Sequence, residues 1–472
     1  MTTLRKVLKL RTVVSSSAGM ALATSSYIAA LQIAAIVAGE LAWISVLVAG
    51  VCCLLAAMCF SELTSQYPTA AGIKLFIQNA WGEKIAIIIG MFYVVLGISM
   101  VGAESFVLSK VMTDSITIVN PEVDRAIWLS VFILFVAFIN YRGVKIAGTA
   151  EDIMTFAMLA LLAVISVYTI SKAGVDLKAA VASDKFTVAN VLNAAGLGVF
   201  LYVGFEWVTP LAEETTDYRM IGKGMLIAIG VLCIVYALFS VAVWVGLTPE
   251  QRLSGTPIPH ILLGRNLFGT PGVLFFVCMS VLASVTSFNA GLLNTSRFTY
   301  AMARDNVLPK VFSKLHPDHA TPWVSILALV AFALVLSIVI LVTGQYLFII
   351  MIAAALECFI YVVMAACVLR LRKKFPDRQT DFRVPLGPVL PVVTGAIFLG
   401  LLLGIFAGVT ADHTGRVLFP NYWVALVMIL FFLLCTLYTL LVVPVFKKKA
   451  AEKAATRVKR RPGRSRDAAQ GG

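Results

Sequence analysis

The sequence has few charged residues, because only 13% of its 472 residues are Asp, Glu, Lys or Arg, while 60% are hydrophobic. Soluble proteins have about 25% charged and about 45–50% apolar residues, so this composition excludes an ordinary water-soluble chain. The excess apolar residues form runs long enough to cross a bilayer, which takes about 20 residues per helix. The chain is therefore predicted to be an all-α integral membrane protein.

Residues that bind metals or carry out acid–base catalysis are scarce and scattered. The eight cysteines lie within apolar runs without the spacing of a metal ligand set, which favours core packing. No nucleophile is accompanied by a base, so a membrane enzyme is disfavoured and we expect no cofactor or metal. The four histidines are predicted to lie in loops: His260, His316, His319 and His413.

Twelve apolar windows predict about twelve transmembrane helices, which we number as spans 1 to 12. Span 1 follows a basic segment and lacks a small-residue cleavage site, so we expect it to remain in the chain rather than to be removed as a signal peptide. The windows cover residues 12–36, 41–65, 84–112, 126–141, 150–172, 188–211, 221–247, 268–298, 323–343, 346–370, 388–410 and 421–446.

The net charge of +14 is distributed unequally between the two sides of the predicted membrane. Segments on the side of the amino terminus hold 30 of the 38 Lys and Arg residues, and the opposite side holds the other eight. The positive-inside rule therefore predicts a multi-pass protein of the cell (cytoplasmic) membrane with both termini in the cytoplasm. Because the basic residues record orientation, they do not indicate a nucleic-acid partner.

Both ends of the chain are predicted to be cytoplasmic segments, at 1–11 and 447–472. The second is basic, Ala-rich and interrupted by Pro and Gly, which predicts disorder. We interpret it as a topology signal; attachment to anionic membrane lipid is the alternative.

Two spans contain runs of small residues that predict interrupted helices. Span 1 has SSSAGMA at 15–21, and span 6 has three glycines with aromatics and an acid at 193–206. Backbone groups at membrane depth must be satisfied within the protein, so such breaks are typical of helices that line a cavity. Close helix packing through small residues is the alternative explanation.

The two breaks occur at matching places in two halves of the chain. Gly19 and Gly204 lie 185 residues apart, and each begins a block of five spans. An odd number of spans inverts the second block, as in inverted-repeat transporters with a central site. We predict a first repeat at 12–172, an inverted second repeat at 188–370 and two additional helices at 388–446.

Four motifs resemble those of the amino acid–polyamine–organocation (APC) superfamily of permeases. They occur in the expected order over all twelve spans. They are SEL with YP at 61–68, FLYVGFE with LAEE at 200–214, RFTYAMARDNVLP with TP at 297–322, and FRVPLGP at 382–388.

The resemblance implies an amino acid bound between the two breaks. Its carboxylate would accept hydrogen bonds from the amides of Ala18, Gly19 and Met20, and its ammonium would meet carbonyls freed nearby. Some proton-dependent relatives have a lysine in span 5, where this chain has Met158, so the resemblance does not imply a lysine-based coupling mechanism. The predicted substrate site comprises Ser15, Ser17, Ala18, Gly19, Met20, Phe200, Tyr202, Val203, Gly204 and Phe205.

Three acids inside the spans are the candidates for gating or proton coupling, since ionisable groups in a membrane are costly and commonly functional. They are Glu104, Glu206 and Glu357. Glu151 and Asp152 are expected to be interfacial. Ser284 and Ser287 in span 8 form an alternative site for a sodium ion, which takes oxygen ligands; hydrogen bonding within their own helix is the simpler interpretation.

These patterns favour a secondary active transporter that moves amino acids by alternating access, as a proton-coupled symporter or an exchanger. The coupled ion is expected to be H⁺, with Na⁺ as the alternative. The competing hypotheses are an amine or polyamine permease of the same fold, an integral-membrane enzyme and a channel.

Overall fold

The computed structural model describes residues 4–37, 39–116, 118–253, 259–411 and 417–459. Most of these residues are helical, so the predicted all-α class is confirmed. Two short strands, β1 Val409–Ala411 and β2 Val417–Pro420, pair antiparallel, with Thr410 opposite Phe419.

Eight α-helices and one 3₁₀ helix, Gly39–Leu41, make up the first part of the chain. The α-helices are α1 Leu10–Ala21, α2 Thr24–Ile36, α3 Ala42–Gln66, α4 Gly72–Trp81, α5 Glu83–Ser115, α6 Pro121–Arg142, α7 Val144–Ala173 and α8 Leu177–Val181.

Ten α-helices and three 3₁₀ helices follow. The 3₁₀ helices are Val199–Leu201, Phe205–Glu213 and Lys310–Ser313. The α-helices are α9 Val188–Gly198, α10 Arg219–Gly246, α11 Pro249–Leu253, α12 Pro259–Phe268, α13 Thr270–Arg304, α14 Trp323–Thr343, α15 Tyr346–Lys374, α16 Val389–Ala407, α17 Tyr422–Leu441 and α18 Val443–Lys459.

Among the described residues, ten helices are long and apolar enough to cross a membrane, or eleven if α1 and α2 form one bent span. The protein is therefore a multi-pass membrane protein. Helix α6 occupies the fourth predicted window but is not among these eleven, and it carries charged residues at both ends. The count of twelve spans stays a prediction.

The interrupted segments lie inside the bundle. Helix α1 packs against α7, α10 and α13, and α9 packs against α2 and α3. By contrast, only 22% of the most apolar window of α16 and of α17 is buried, against 67% for α5 and α13. The last two spans therefore present most of their surface outward, as expected for lipid-facing helices.

The carboxyl-terminal segment differs from the predicted disordered tail. Residues 443–459 form α18, directly after α17, and Lys447 forms an ion pair with Glu83 at the start of α5. Ala, Lys and Glu have high helix propensity, which the prediction of disorder from composition overlooked. The remainder of the predicted tail, 460–472, lies outside the described residues.

A fully buried ion pair joins the segment after span 6 to the end of α13. Arg297 Nε donates to Glu214 Oε2 at 2.8 Å, and both side chains are completely inaccessible to solvent. Arg297 Nη1 also donates to Ser296 Oγ at 3.0 Å. A buried pair of this kind holds two elements in register, because separating its members would leave an uncompensated charge in the interior.

We expect Arg297→Met to lower the free energy of unfolding by about 3–5 kcal/mol, since it leaves the Glu214 carboxylate buried without its partner. Chemical denaturation in detergent measures the loss. The additional change Glu214→Met should recover part of it, because the orphaned charge is then removed. Arg304→Met is the control, since Arg304 pairs with Glu213 near the surface, where an ion pair contributes about 0–1 kcal/mol. Equal losses for Arg297→Met and Arg304→Met would contradict the expectation.

Candidate functional site

The break in span 1 lies later than predicted. Helix α1 continues through the small-residue run to Ala21, and α2 begins at Thr24 with its axis bent by 62°. The predicted substrate ligands Ala18, Gly19 and Met20 therefore lie within a regular helix, where their amides have partners in α1 and are not free to bind a carboxylate. The amides without a partner in their own helix are instead those of Thr24 and Ser25, in the first turn of α2.

The small residues of α1 allow close packing, which was the alternative explanation of this run. A Cβ atom at Gly19 would collide with the side chains of Glu151, Thr155 and Thr286. Ser17 Oγ, a predicted site residue, donates to the Phe205 carbonyl at 2.7 Å. The run at 15–21 thus brings α1 against α7, α13 and the break in span 6.

The break in span 6 lies at Gly204, as predicted. Helix α9 ends at Gly198, a 3₁₀ turn continues to Leu201, and a second 3₁₀ helix begins at Phe205. Gly204 has φ of +105°, a conformation that residues with a Cβ atom rarely adopt. A Cβ atom here would also collide with Met20, so the two interrupted segments pack directly on each other.

The predicted aromatic residues of span 6 have different surroundings. Tyr202 Oη donates to the Val46 carbonyl at 2.8 Å, so this side chain points towards α3. Phe205 is fully buried, with its ring 5.4 Å from that of Tyr361, and Val203 is also buried. Phe200 is half-buried, whereas the aromatic side chains of Tyr202 and Phe205 are fully buried.

Glu104 occupies the start of α2. Its Oε1 accepts hydrogen bonds from the Thr24 amide at 2.5 Å and from Ser284 Oγ at 2.9 Å, and its Oε2 accepts one from the Ser25 amide at 3.4 Å. A helix amino terminus attracts anions through its unpaired amides and its dipole. The Glu104 carboxylate therefore binds a helix amino terminus, which is the kind of site that was predicted to bind the carboxylate of the substrate.

The hydroxyls of Ser284 and Ser287 contact different groups and do not line a common cation site. Ser284 contacts Glu104 and Thr24, whereas Ser287 Oγ donates to the Met20 carbonyl at 3.2 Å. Both hydroxyls thus connect α13 to the break in span 1. Sodium binding at these residues stays an alternative without further support.

His260 lies in α12, not in a loop as predicted, and it is fully buried. Its Nε2 lies 2.8 Å from Ser280 Oγ, whose single hydrogen is donated to the Phe276 carbonyl at 2.9 Å. With the Ser280 hydrogen on the Phe276 carbonyl, Nε2 is assigned as the donor and Nδ1 as the unprotonated nitrogen. Burial lowers the pKa of His260 to about 3, so the imidazole is neutral near pH 7. His413 lies outside the described residues.

Glu206 and Glu357 form a pair of buried carboxyl groups. Tyr361 Oη donates to Glu206 Oε2 at 2.8 Å, and the two carboxyl groups lie within hydrogen-bonding reach of each other. Glu206 Oε1 and both Glu357 oxygens have no donor among the described residues. A proton shared by the two carboxyls would supply one, because two adjacent buried carboxylates repel each other.

Glu151 was expected to be interfacial, and the structure corrects that prediction. Its side chain is fully buried between α1, α7 and α13. Gly148, Glu151 and Thr155 follow each other at spacings of three and four residues, which places them on one face of α7. A small residue and two polar residues on one face of a membrane helix indicate that this face packs inside the protein, and this pattern could have identified Glu151 as buried.

The sequence model of the family described as "Amino acid permease" matches residues 8–442. The chain belongs to this family. The predicted membership of the APC superfamily is thus confirmed.

Several curated transporters are similar to this permease over most of its length. A methylthioribose transporter of Bacillus subtilis (strain 168) is 27% identical, over 83% of this chain and 86% of its own. The branched-chain amino acid permease BcaP of the same organism is also 27% identical, over 78% and 82%. Its serine/threonine exchanger SteT is 23% identical, over 75% and 80%. The family and these relatives are transporters.

We expect Gly204→Ala to destabilise the permease by about 1–3 kcal/mol, because alanine pays a steric penalty at positive φ and its Cβ would displace Met20. The melting temperature in detergent measures the effect. Gly230→Ala in α10 is the matched control, since a Cβ atom there meets nothing within 4 Å. Equal melting temperatures for the two variants would show that the turn tolerates a side chain.

We expect acidification below about pH 6.5, the ordinary pKa of histidine, to reduce the stability of the permease in part through His260. Its pKa is lower in the folded state, so the unfolded chain binds the proton first and unfolding is favoured as the pH falls. The melting temperature of His260→Gln should decrease less between neutral and mildly acidic pH than that of the wild type. His316→Gln, in a loop, is the control; parallel profiles for all three proteins would exclude a contribution from His260.

Proposed function

We propose that this permease is a secondary active transporter that moves amino acids across the cytoplasmic membrane by alternating access. The direct contact between the two interrupted segments carries the proposal. Met20 packs on Gly204, and Ser17 donates to the Phe205 carbonyl. Interrupted helices that meet inside a bundle free backbone groups for a polar ligand, and they supply the joints at which helix halves can move.

The proposed arrangement has two inverted repeats, at 12–172 and 188–370, with both termini in the cytoplasm. Contacts of the amino-terminal segment support the proposal that the cytoplasmic end of the bundle is closed in this structure. The Leu8 amide donates to the Glu214 carbonyl at 3.0 Å, and the Thr216 amide donates to the Leu8 carbonyl at 3.0 Å. Arg11 also pairs with Asp152 at 2.8 Å. Opening of the cytoplasmic end would require these polar contacts to break.

The substrate is proposed to lie beside Phe200 and the first turn of α2. The Thr24 and Ser25 amides are the donors for a substrate carboxylate there, and they now bind Glu104. Protonation of Glu104 would weaken its hold on these amides, because a neutral acid loses the attraction to the helix dipole. A proton and an amino acid carboxylate could then bind together, which is the logic of a symporter.

The Glu206 and Glu357 pair is the proposed gating group. A proton shared by the two carboxyls would hold the segment after Gly204 to α15, and Tyr361 adds a hydrogen bond to the same contact. Loss of that proton would place two carboxylates side by side and favour their separation. The coupled ion is accordingly proposed to be H⁺.

An amine is the second candidate substrate, and the position of Glu104 favours it. If Glu104 remains ionised at the start of α2, the site offers a carboxylate, which attracts an ammonium group and repels a substrate carboxylate. The similarity to a methylthioribose transporter also supports a substrate other than an amino acid, because the substrate for which that relative is named has no carboxylate.

Reconstituted permease is expected to take up at least one labelled amino acid, and faster when the outside is acidic. Phe200→Ala should reduce uptake by about tenfold, the effect of about 1.4 kcal/mol of binding free energy, and Glu206→Gln should weaken the response to pH. Phe332→Ala is the matched control, because this phenylalanine of α14 is 61% exposed on the outer surface. Failure to bind any member of a broad panel of amino acids and amines would refute the proposal.

Glu104→Gln distinguishes the two substrates in the same assay. For an amino acid carrier the neutral glutamine imitates the protonated acid, so amino acid uptake persists and its pH dependence is reduced to the part contributed by Glu206 and Glu357. For an amine carrier it removes the anionic contact, so it abolishes uptake of the decarboxylated amines.

A further inference from the structure

A buried carboxyl group lies where α1, α7 and α13 meet, away from the acids discussed above. Glu151 Oε1 lies 2.6 Å from Thr286 Oγ1 and 3.1 Å from Thr155 Oγ1, and its Oε2 accepts from Asn289 Nδ2 at 2.7 Å. The two threonine hydroxyls lie 2.9 Å apart, and Thr155 Oγ1 lies 3.3 Å from the Ser15 carbonyl of α1. Four oxygens of three helices thus form one connected cluster.

The charged neighbours leave this carboxyl group without a cation. Arg11 of α1 forms its ion pair with Asp152, the next residue of α7, at 2.8 Å. Helix α13 contributes neutral Thr286 and Asn289, and the latter is in turn bound by neutral Asn140 of α6. Among the described residues no basic group contacts Glu151. An ionised carboxylate without a cation is costly at membrane depth.

The hydrogens available in the cluster support two arrangements. Each threonine hydroxyl has a single hydrogen. If Glu151 is ionised, its charged Oε1 is a stronger acceptor for both hydroxyls than the neutral Ser15 carbonyl, so both donate to Oε1 and the carbonyl receives nothing from α7. If Glu151 is protonated, its hydroxyl donates to Thr286, Thr286 donates to Thr155, and Thr155 donates to the Ser15 carbonyl.

We propose that Glu151 binds and releases a proton, and that this proton switches the hydrogen-bond chain from Thr286 through Thr155 to the Ser15 carbonyl of α1. The protonated form ties α1 to α7 and α13; the ionised form releases that bond. A proton fits this cluster better than a metal ion does. The Thr286 hydroxyl lies 2.6 Å from Glu151 Oε1 and 2.9 Å from the Thr155 hydroxyl, so these oxygens would first have to move apart to surround a metal ion. The switch goes beyond the proposed function, since it requires no substrate.

Difference infrared spectroscopy of the full-length protein in lipid, between alkaline and acidic buffer, tests the proposal. The wild type should gain the carbonyl stretch of a protonated carboxylic acid on acidification, and Glu151→Gln should lack one component of that band. Asp152→Asn is the matched control, because it removes the adjacent acid and should retain the component. Identical bands for Glu151→Gln and the wild type would overturn the proposal.

Thr286→Val keeps the test decisive if Glu151→Gln does not fold. Valine has the shape of threonine but cannot accept a hydrogen bond, so the frequency of the Glu151 component should change. An unchanged frequency would overturn the proposed chain. A spectral response to sodium at constant pH, without one to pH, would indicate a metal-ion site and would also overturn it. Because the spectra are recorded without substrate, a failure of transport does not affect the result.

Discussion

The requirement that backbone polar groups find partners inside the protein shapes the rest of the structure. Where α1 ends at Ala21 and α9 ends near Gly198, helical hydrogen bonding is interrupted within the bundle. The freed groups are satisfied by side chains of neighbouring helices: Tyr236 donates to the Ala21 carbonyl at 2.8 Å and Ser287 to that of Met20. The breaks therefore persist only because other helices hold them.

Acids perform a similar role at three places around these breaks. Glu104 accepts from the start of α2, Glu151 joins α1 to α7 and α13, and Glu206 meets Glu357 and Tyr361. Each lies among neutral donors or another acid, so its protonation changes which groups it can hold. Under the proposals made above, proton binding and helix position would be linked directly through these hydrogen bonds, without a long-range mechanism.

Several elements were predictable because they depend on local composition. Apolar runs of about 20 residues indicate membrane helices, and the glycine-rich segment with Gly204 indicates a break, since a positive φ needs glycine. The break in span 1 was misplaced because small residues allow either a break or close packing. The run at 15–21 proved to serve packing, and the break follows at Leu22 and Ala23.

The sequence by itself determined the membrane class, the family and the break at Gly204, because each follows from composition, motif order or a local backbone requirement. Only the tertiary structure decided which polar residues meet. Glu104 and Thr24 are 80 residues apart and Glu151 and Thr286 are 135 apart, so no local pattern could pair them. His260 likewise became a buried, neutral residue because α12 packs on α13. Contacts of this kind depend on how helices pack across the whole chain.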